Sequence, residues 1–286
     1  MKKCILVAGA TGSQGGAVLR HLQGLGHELR ALTRDPSSAK ARALSDAGIN
    51  VVAGDMRNST SLTAAMKDVD SVFAVQDFYA PGVGYAGEVE QGRNLAEAAA
   101  KAGVTHFVQS TMAATDDPGD VEHFRSKFEI ERIVDGLGLP RTFVGTAWFI
   151  DNVVNPKTGG GMTFPALSGT LRRDTPFHIL ALDDLGAAVA AILGDSEGHV
   201  GRRQDLASEV TTITKMKADY RRVAGRAPKR WWMPNTMLRF AAPDFAAQLR
   251  WHVRKGWAHD TIPLERLIRQ PTTFAAYLEK RGNVVL

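Results

Sequence analysis

The sequence predicts an α/β protein: a doubly wound parallel sheet with a smaller, mainly helical C-terminal lobe. Three observations predict it. A glycine-rich turn sits between an apolar strand and an amphipathic helix at the start of the chain. Short apolar runs then alternate with helical stretches through about the first half, as a doubly wound sheet requires. After Asn152 the texture changes to a glycine-rich loop, proline-interrupted segments and a stretch rich in tryptophan.

Ile5-Leu6-Val7-Ala8 is the first strand. Gly9-Ala10-Thr11-Gly12-Ser13-Gln14-Gly15-Gly16 follows at once, ahead of the amphipathic stretch 17–22. Gly9 permits the tight turn, Gly12 lets the backbone approach a pyrophosphate with no Cβ in the way, and Gly15 allows close helix–strand packing. The helix then presents unpaired N–H groups and its positive dipole end to the phosphates. Strand, glycine turn and helix in that order predict a Rossmann-type dinucleotide site, with Gly9, Thr11, Gly12, Ser13, Gln14 and Gly15 binding the cofactor; an ordinary βα turn is the plain alternative.

A second strand over 28–32 ends at Thr33-Arg34-Asp35-Pro36. In dinucleotide folds an acidic residue here holds the ribose 2′-OH of NAD, and an arginine favours the 2′-phosphate of NADP. Arg34 therefore predicts NADP(H) in preference to NAD(H), with Lys40 and Arg42 near enough to help. Asp35 competes as a ligand for a ribose hydroxyl if Arg34 turns outward, and Arg34 is otherwise a solvated loop charge. A third strand, 50–53, is closed by Gly54-Asp55-Met56, where Asp55 either meets the adenine or caps the turn. A short helix over 59–67, capped by Ser59 or Thr60, leads to a fourth strand, 72–75. Gln76 and Phe78 follow it and border the expected cofactor path.

A helix from about 88 to 102, with Gly103 as its C-cap, precedes a fifth strand at 106–108 that ends in Gln109-Ser110-Thr111. A helix over 124–134 and a sixth strand over 141–144 complete the sheet. Ligands of open α/β sheets bind at the carboxyl ends of strands, so the shortlist is the glycine turn, Arg34, Asp55, Met56, Gln76 and Ser110.

Beyond Asn152, Lys157-Thr158-Gly159-Gly160-Gly161 reads as a loop and 163–179 as short strands broken by proline and glycine. A helix over 182–193, opened by Asp183 or Asp184, returns to the nucleotide domain with those carboxylates complementing its dipole. Glu209-Val210-Thr211-Thr212 precedes a helix through Arg222. The predicted organisation is a nucleotide domain over 1–154, rejoined by 178–207, and a smaller substrate or partner lobe from 155–177 and 208–286.

The 286 residues are 44% hydrophobic and 23% charged, ordinary for a globular protein. A single cysteine, Cys4, excludes a disulfide framework within the chain and a cysteine zinc cluster, and is most simply a small buried apolar residue. No apolar run approaches the roughly 20 residues of a membrane span. Met1-Lys2-Lys3 leads straight into the first strand, so a cytoplasmic location with no membrane association is expected. The net charge of +5 suits anionic ligands but is too small to argue for nucleic acid. Basic and aromatic residues interleave from Arg226 to Trp232 and again at Arg250, Trp251, Arg254 and Lys255, a pattern of single-strand binders. Core tryptophans beside solvated charges are the preferred reading. No Gly-x-Ser-x-Gly elbow, His-Glu-x-x-His or paired-cysteine motif occurs and the histidines do not cluster, so no metal is expected, and no residue suggests a flavin.

The turn at 9–16 and Thr33-Arg34-Asp35-Pro36 resemble the NmrA-like branch of the atypical short-chain dehydrogenases/reductases. His123-Phe124-x-x-Lys127-x-x-x-Glu131, Trp148-Phe149-Ile150-Asp151-Asn152, Asp184-Leu185-Gly186 and Pro271-x-Thr273-Phe274 also resemble it, which spreads the likeness over nearly the whole chain. The resemblance implies a lysine near the nicotinamide (Lys127), a serine orienting substrate (Ser110), and Asn152 at the cleft between the lobes. It also implies two classes of function: NADPH-dependent reduction of small molecules, or non-catalytic sensing of the nicotinamide pool with a protein partner.

Typical short-chain dehydrogenases place Tyr-x-x-x-Lys on one helical face, the lysine holding the ribose and lowering the tyrosine pKa. Here His123 stands four residues before Lys127, and the tyrosines lie at 79, 85, 220 and 277, so the full tyrosine mechanism is not expected at this site. Lys127 either contacts the nicotinamide ribose or pairs with Glu131 on a solvated face. His123 either supplies a proton near neutral pH or is a partly exposed helix residue without a role. Ser110 either orients substrate or bonds to backbone. The favoured function is an NADPH-dependent oxidoreductase of a small carbonyl, quinone-like or aromatic acceptor. The alternative is an NADP(H) redox sensor whose lobe arrangement a regulatory protein partner reads. The sequence leaves substrate, partner and oligomeric state open.

Overall fold

A computed structural model of the chain describes residues 2–113, 117–154, 160–229, 234–255 and 264–282. Strands and helices alternate first: β1 (Cys4–Val7), α1 (Ser13–Leu22), β2 (Glu28–Thr33), α2 (Ala39–Asp46), β3 (Asn50–Ala53), α3 (Ser59–Ala65), β4 (Ser71–Ala74), α4 (Gly84–Ala102), β5 (His106–Met112), α5 (Glu122–Gly136) and β6 (Arg141–Thr146). There follow β7 (Trp148–Phe149), α6 (Ile150–Val154), α7 (Gly160–Thr170), β8 (Phe177–Leu180), α8 (Leu182–Gly194), α9 (Ser196–His199), β9 (Arg203–Leu206) and β10 (Glu209–Thr211). The chain closes with α10 (Ile213–Ala224), α11 (Asn235–Ala241), α12 (Pro243–Lys255), a 3-10 turn at Leu264–Arg266 and α13 (Phe274–Arg281).

Seven strands form one parallel sheet in the order β3-β2-β1-β4-β5-β6-β9. The chain winds outward from β1 to β3, then crosses back to β4, so the strand order reverses between β1 and β4. That switch point leaves a crevice at their carboxyl ends. Helices cover both faces, which is why β1, β4 and β5 are buried along their whole length. One core unites Val18, Leu19 and Leu22 of α1 with Leu185, Val189 and Ile192 of α8. The other lies under α3, α4 and α5, through Leu62, Leu95 and Ile130. A third core, with Trp148, Phe164, Phe177, Tyr220 and Phe274, belongs to the C-terminal lobe. That lobe carries a small sheet of its own, β10-β8-β7.

Several expectations are corrected. Residues 163–170 are not broken strands but most of α7, with Pro165 inside it. Burial of Phe164, Ala166 and Leu167 in the lobe core outweighs the lost N–H of Pro165. Gly160 and Gly161 open that helix instead of ending a loop, while Lys157, Thr158 and Gly159 lie outside the described residues. Residues 177–180 pair with β7 and β10, so the return to the main sheet starts at α8 and ends in β9, a seventh strand. The helix α3 is capped by Asn58, whose side chain accepts from the Ser61 N–H, not by Ser59 or Thr60. Trp251 is a core residue, 2% exposed and edge-on to Phe124. Trp231, Trp232 and Trp257 lie outside the described residues.

Candidate active site

A cleft of about 1110 Å³ lies at the crevice between β1 and β4 and reaches the C-terminal lobe. Gly9, Thr11, Gly12, Ser13 and Gln14 line it, as do Arg34, Asp55, Met56, Gln76, His123 and Lys127. Phe78, Trp148, Phe149, Leu238 and Phe245 give it an apolar, aromatic wall, and the polar Asn152 also lines it. Gly15 and Ser110 are the predicted residues that do not line it.

The glycine turn follows directly from the sequence. Gly9 holds φ +63°, the left-handed region that a side chain disfavours. A Cβ on Gly15 would stand 2.4 Å from the Gly9 carbonyl oxygen, so only glycine lets α1 approach the turn this closely. Gly12 caps α1 with extended backbone and no side chain, leaving the first N–H groups of the helix open. Ser110 is buried within β5, because that strand pairs with β6 as far as Met112. Its hydroxyl donates to Gln14 Oε1 at 2.7 Å, neither to backbone nor into the cleft, and so braces the turn.

Arg34 is exposed on the cleft and makes no hydrogen bond or ion pair with any described residue. Asp35, by contrast, is occupied locally: its Oδ1 accepts from the N–H of Ser37 at 2.9 Å and from that residue's hydroxyl, which holds its carboxyl below the usual range. Lys40 Nζ donates to the Thr11 carbonyl at 3.2 Å, joining the loop after β2 to the glycine turn. Asp55 caps its own turn, Oδ1 accepting from the Arg57 N–H at 2.9 Å. Gln76 is 5% exposed and accepts from Gln109 Nε2 at 2.9 Å, but its own Nε2 is buried with no partner among the described residues. Gln76 lines the cleft, so this unpartnered amide borders the space a dinucleotide would fill. These features fit a dinucleotide.

Lys127 does not pair with Glu131. Its Nζ donates to Glu88 Oε1 at 2.9 Å, and Glu88, fully buried on α4, also accepts from Ser126 Oγ. Glu131 instead accepts from Thr111 and from Arg203 at 2.6 Å. Burial raises its pKa despite the guanidinium beside it.

His123 is 7% exposed, not a partly exposed surface residue. Its Nδ1 contacts Asp244 Oδ2 and lies 3.1 Å from the Tyr79 hydroxyl, which itself donates to the same carboxylate oxygen at 2.7 Å. A tyrosine therefore reaches this site after all, from the loop after β4. Burial opposes the charge on Asp244, but the bonds from His123 and Tyr79 outweigh it and hold the carboxyl below its usual range. Enclosure of the Tyr79 hydroxyl, then the Asp244 carboxylate, push the phenol pKa well above normal, so it stays protonated. Tyr79, Glu88 and Asp244 were not anticipated. Tyr79 offered one faint signal, an aromatic just past a strand end. Asp244, in the first turn after Pro243, reads as a routine helix start.

Among the described residues no group of histidine, cysteine and carboxylates is placed to hold a metal, and no helix is long and apolar enough to cross a membrane. Sheet order and cleft define a Rossmann-type α/β protein. The chain belongs to the NmrA-like family, whose model matches residues 1–251. It is 30% identical over 247 residues to the NmrA-like family domain-containing oxidoreductase FrzB of Cladobotryum sp., covering 78% of this chain and 74% of that one. Its fold matches the Citrobacter sp. triphenylmethane reductase complexed with NADP(H), with a TM-score of 0.80 at 20% identity over 98% and 100% of the two chains. It also matches NmrA, a negative transcriptional regulator, in complex with NADP, with a TM-score of 0.77 at 21% identity over 98% and 95%.

Proposed function

We propose that this chain is an NADPH-dependent reductase of a small carbonyl, quinone-like or aromatic acceptor. The observation that carries the reading is that one cleft is lined both by the glycine turn and by His123 and Tyr79, which share hydrogen bonds to the Asp244 carboxylate. The glycine turn and the α1 N-terminus would hold the pyrophosphate, with Asp55 and Met56 towards the adenine. Arg34, which no described residue pairs while Asp35 is engaged, would take a 2′-phosphate, which supports NADP(H) over NAD(H). Gln76 and Lys127 would serve the nicotinamide end, Glu88 fixing the lysine ammonium. The bound dinucleotide supplies hydride. The chain supplies the rest: the wall of Phe78, Trp148, Phe149 and Phe245 excludes water from an apolar acceptor, and His123 delivers the proton.

The family resemblance of an NADP-binding regulator supports a second reading, a redox sensor, and the histidine in place of tyrosine on α5 favours it specifically. Following NADPH absorbance with quinones, azo dyes and aldehydes decides between them. Oxidation with at least one acceptor is expected. Tight NADPH binding without oxidation by any acceptor would transfer the function to the sensor.

A further inference from the structure

We propose that Asp244, supplied by the C-terminal lobe, is the positioning residue that orients the His123 imidazole as a proton donor and makes that orientation conditional on docking of α12. The inference rests on the reductase reading and deepens it.

An ionised carboxylate only accepts hydrogen bonds, so the Nδ1 that meets Asp244 Oδ2 must carry a proton. The ring is then held in the Nδ1–H form, and Nε2, which no described residue engages, is left as the atom that gains and gives the catalytic proton. The other oxygen, Oδ1, accepts from the N–H groups of Glu122 at 2.9 Å and His123 at 3.3 Å. Asp244 thus caps α5, whose own N-cap residue, Val121, has no side chain able to do so. One carboxylate therefore sets both the start of the helix and the rotation of the ring it carries.

The groups around the imidazole are accounted for by element. From the loop after β4 come Tyr79 and Asp77; from α4, Glu88; from α5 itself, Lys127; from α12, Asp244 and His252. Glu88 is matched by Lys127, Asp77 is turned to the Tyr79 N–H at 3.2 Å, and burial pushes His252 down to about 3, leaving it neutral. Asp244 is the anion left to act on His123.

The same helix is tied to the segment before α5 by four further contacts. Asp120 pairs with Arg250 at 2.9 Å and Arg254 at 3.0 Å, Asp117 pairs with Lys255 at 2.5 Å, and Trp251 Nε1 donates to the Asp117 carbonyl at 2.9 Å. In the reaction, Nε2–H of the imidazolium passes to the anionic atom of the acceptor that has received hydride. The ring is left neutral with Nδ1–H still on Asp244, and solvent returns the proton.

The test compares wild type with Asp244→Asn, which keeps an oxygen for the α5 cap but loses the charge. The His123 ring is followed by 15N NMR in the full chain with NADPH present, its signals assigned with His123→Gln. In wild type the neutral ring is expected to carry its proton on Nδ1, against the Asp244 carboxylate. In Asp244→Asn, whose amide can donate to Nδ1, the proton is expected on Nε2 instead. With an acceptor that wild type reduces, kcat of Asp244→Asn should fall by about tenfold or more, with KM for NADPH unchanged. Tyr79→Phe, which keeps the carboxylate, should leave the ring in the Nδ1–H form. The same Nδ1–H ring in wild type and Asp244→Asn would overturn the proposal. No oxidation by wild type with any acceptor would instead defeat the reductase reading, while the ring tautomer still reports whether Asp244 governs His123.

Discussion

The end of the cleft proposed for the nucleotide comes from residues close in sequence, the turn at 9–15 and the strand ends soon after it. The end proposed to handle the proton joins Tyr79, His123 and Asp244, with Tyr79 and Asp244 165 residues apart. At the first end the backbone does the work, so a substitution acts through a Cβ that does not fit. At the second, side chains satisfy one another, and a substitution acts by leaving a buried partner stranded. A local motif is therefore set by a few neighbouring residues, whereas the long-range cluster exists only once the fold brings its members together.

That contrast breaks most sharply at Gly12. Gly12→Val should abolish dinucleotide binding while far-UV circular dichroism stays native, since the added Cβ stands 3.1 Å from the Gly9 carbonyl at the open helix end. Surviving binding, read by cofactor fluorescence, would remove the turn from the site. At the other end, His123→Phe should cut kcat by about 10²–10⁴-fold, the usual worth of a positioned acid, with NADPH affinity kept. Lys127→Met should destabilise the fold by about 3–5 kcal/mol in denaturant titrations by stranding a fully buried carboxylate. Adding Glu88→Gln should recover most of that loss; no recovery would mean the pair is not what holds α4 against α5.

Smaller effects sharpen the comparison. Arg34→Ala should weaken NADPH by roughly 10–100-fold, the worth of a charge-assisted contact, and NADH much less. Equal losses would remove the phosphate role. Asp120→Asn should change stability by no more than about 1 kcal/mol, because its ion pairs with Arg250 and Arg254 are exposed and salt-screened.

Legibility followed the same division. Sheet, glycine turn and the arginine after β2 were visible because each depends on spacing within a few residues. The His123–Lys127 helix was visible too, but its partners were not. Lys127 and Glu131 stand at the right interval for an ion pair, yet α5 packs so that each meets a different element: Glu88 on α4, and Thr111 with Arg203 on β5 and β9. The proline in α7 read as a breaker because burial of its neighbours is a tertiary fact. Asp184 read as a helix-dipole residue, and in the fold it also ties α8 to Ser208 and Thr272.

On the proposed reading, binding and proton delivery are built separately within one cleft. This is tested most directly by stopped-flow mixing of NADPH-loaded wild type and His123→Phe with one acceptor, cofactor fluorescence reporting binding and absorbance reporting oxidation. Equal NADPH affinity with slowed oxidation in His123→Phe is the predicted result. Oxidation at the same rate in both proteins, across pH, would contradict it.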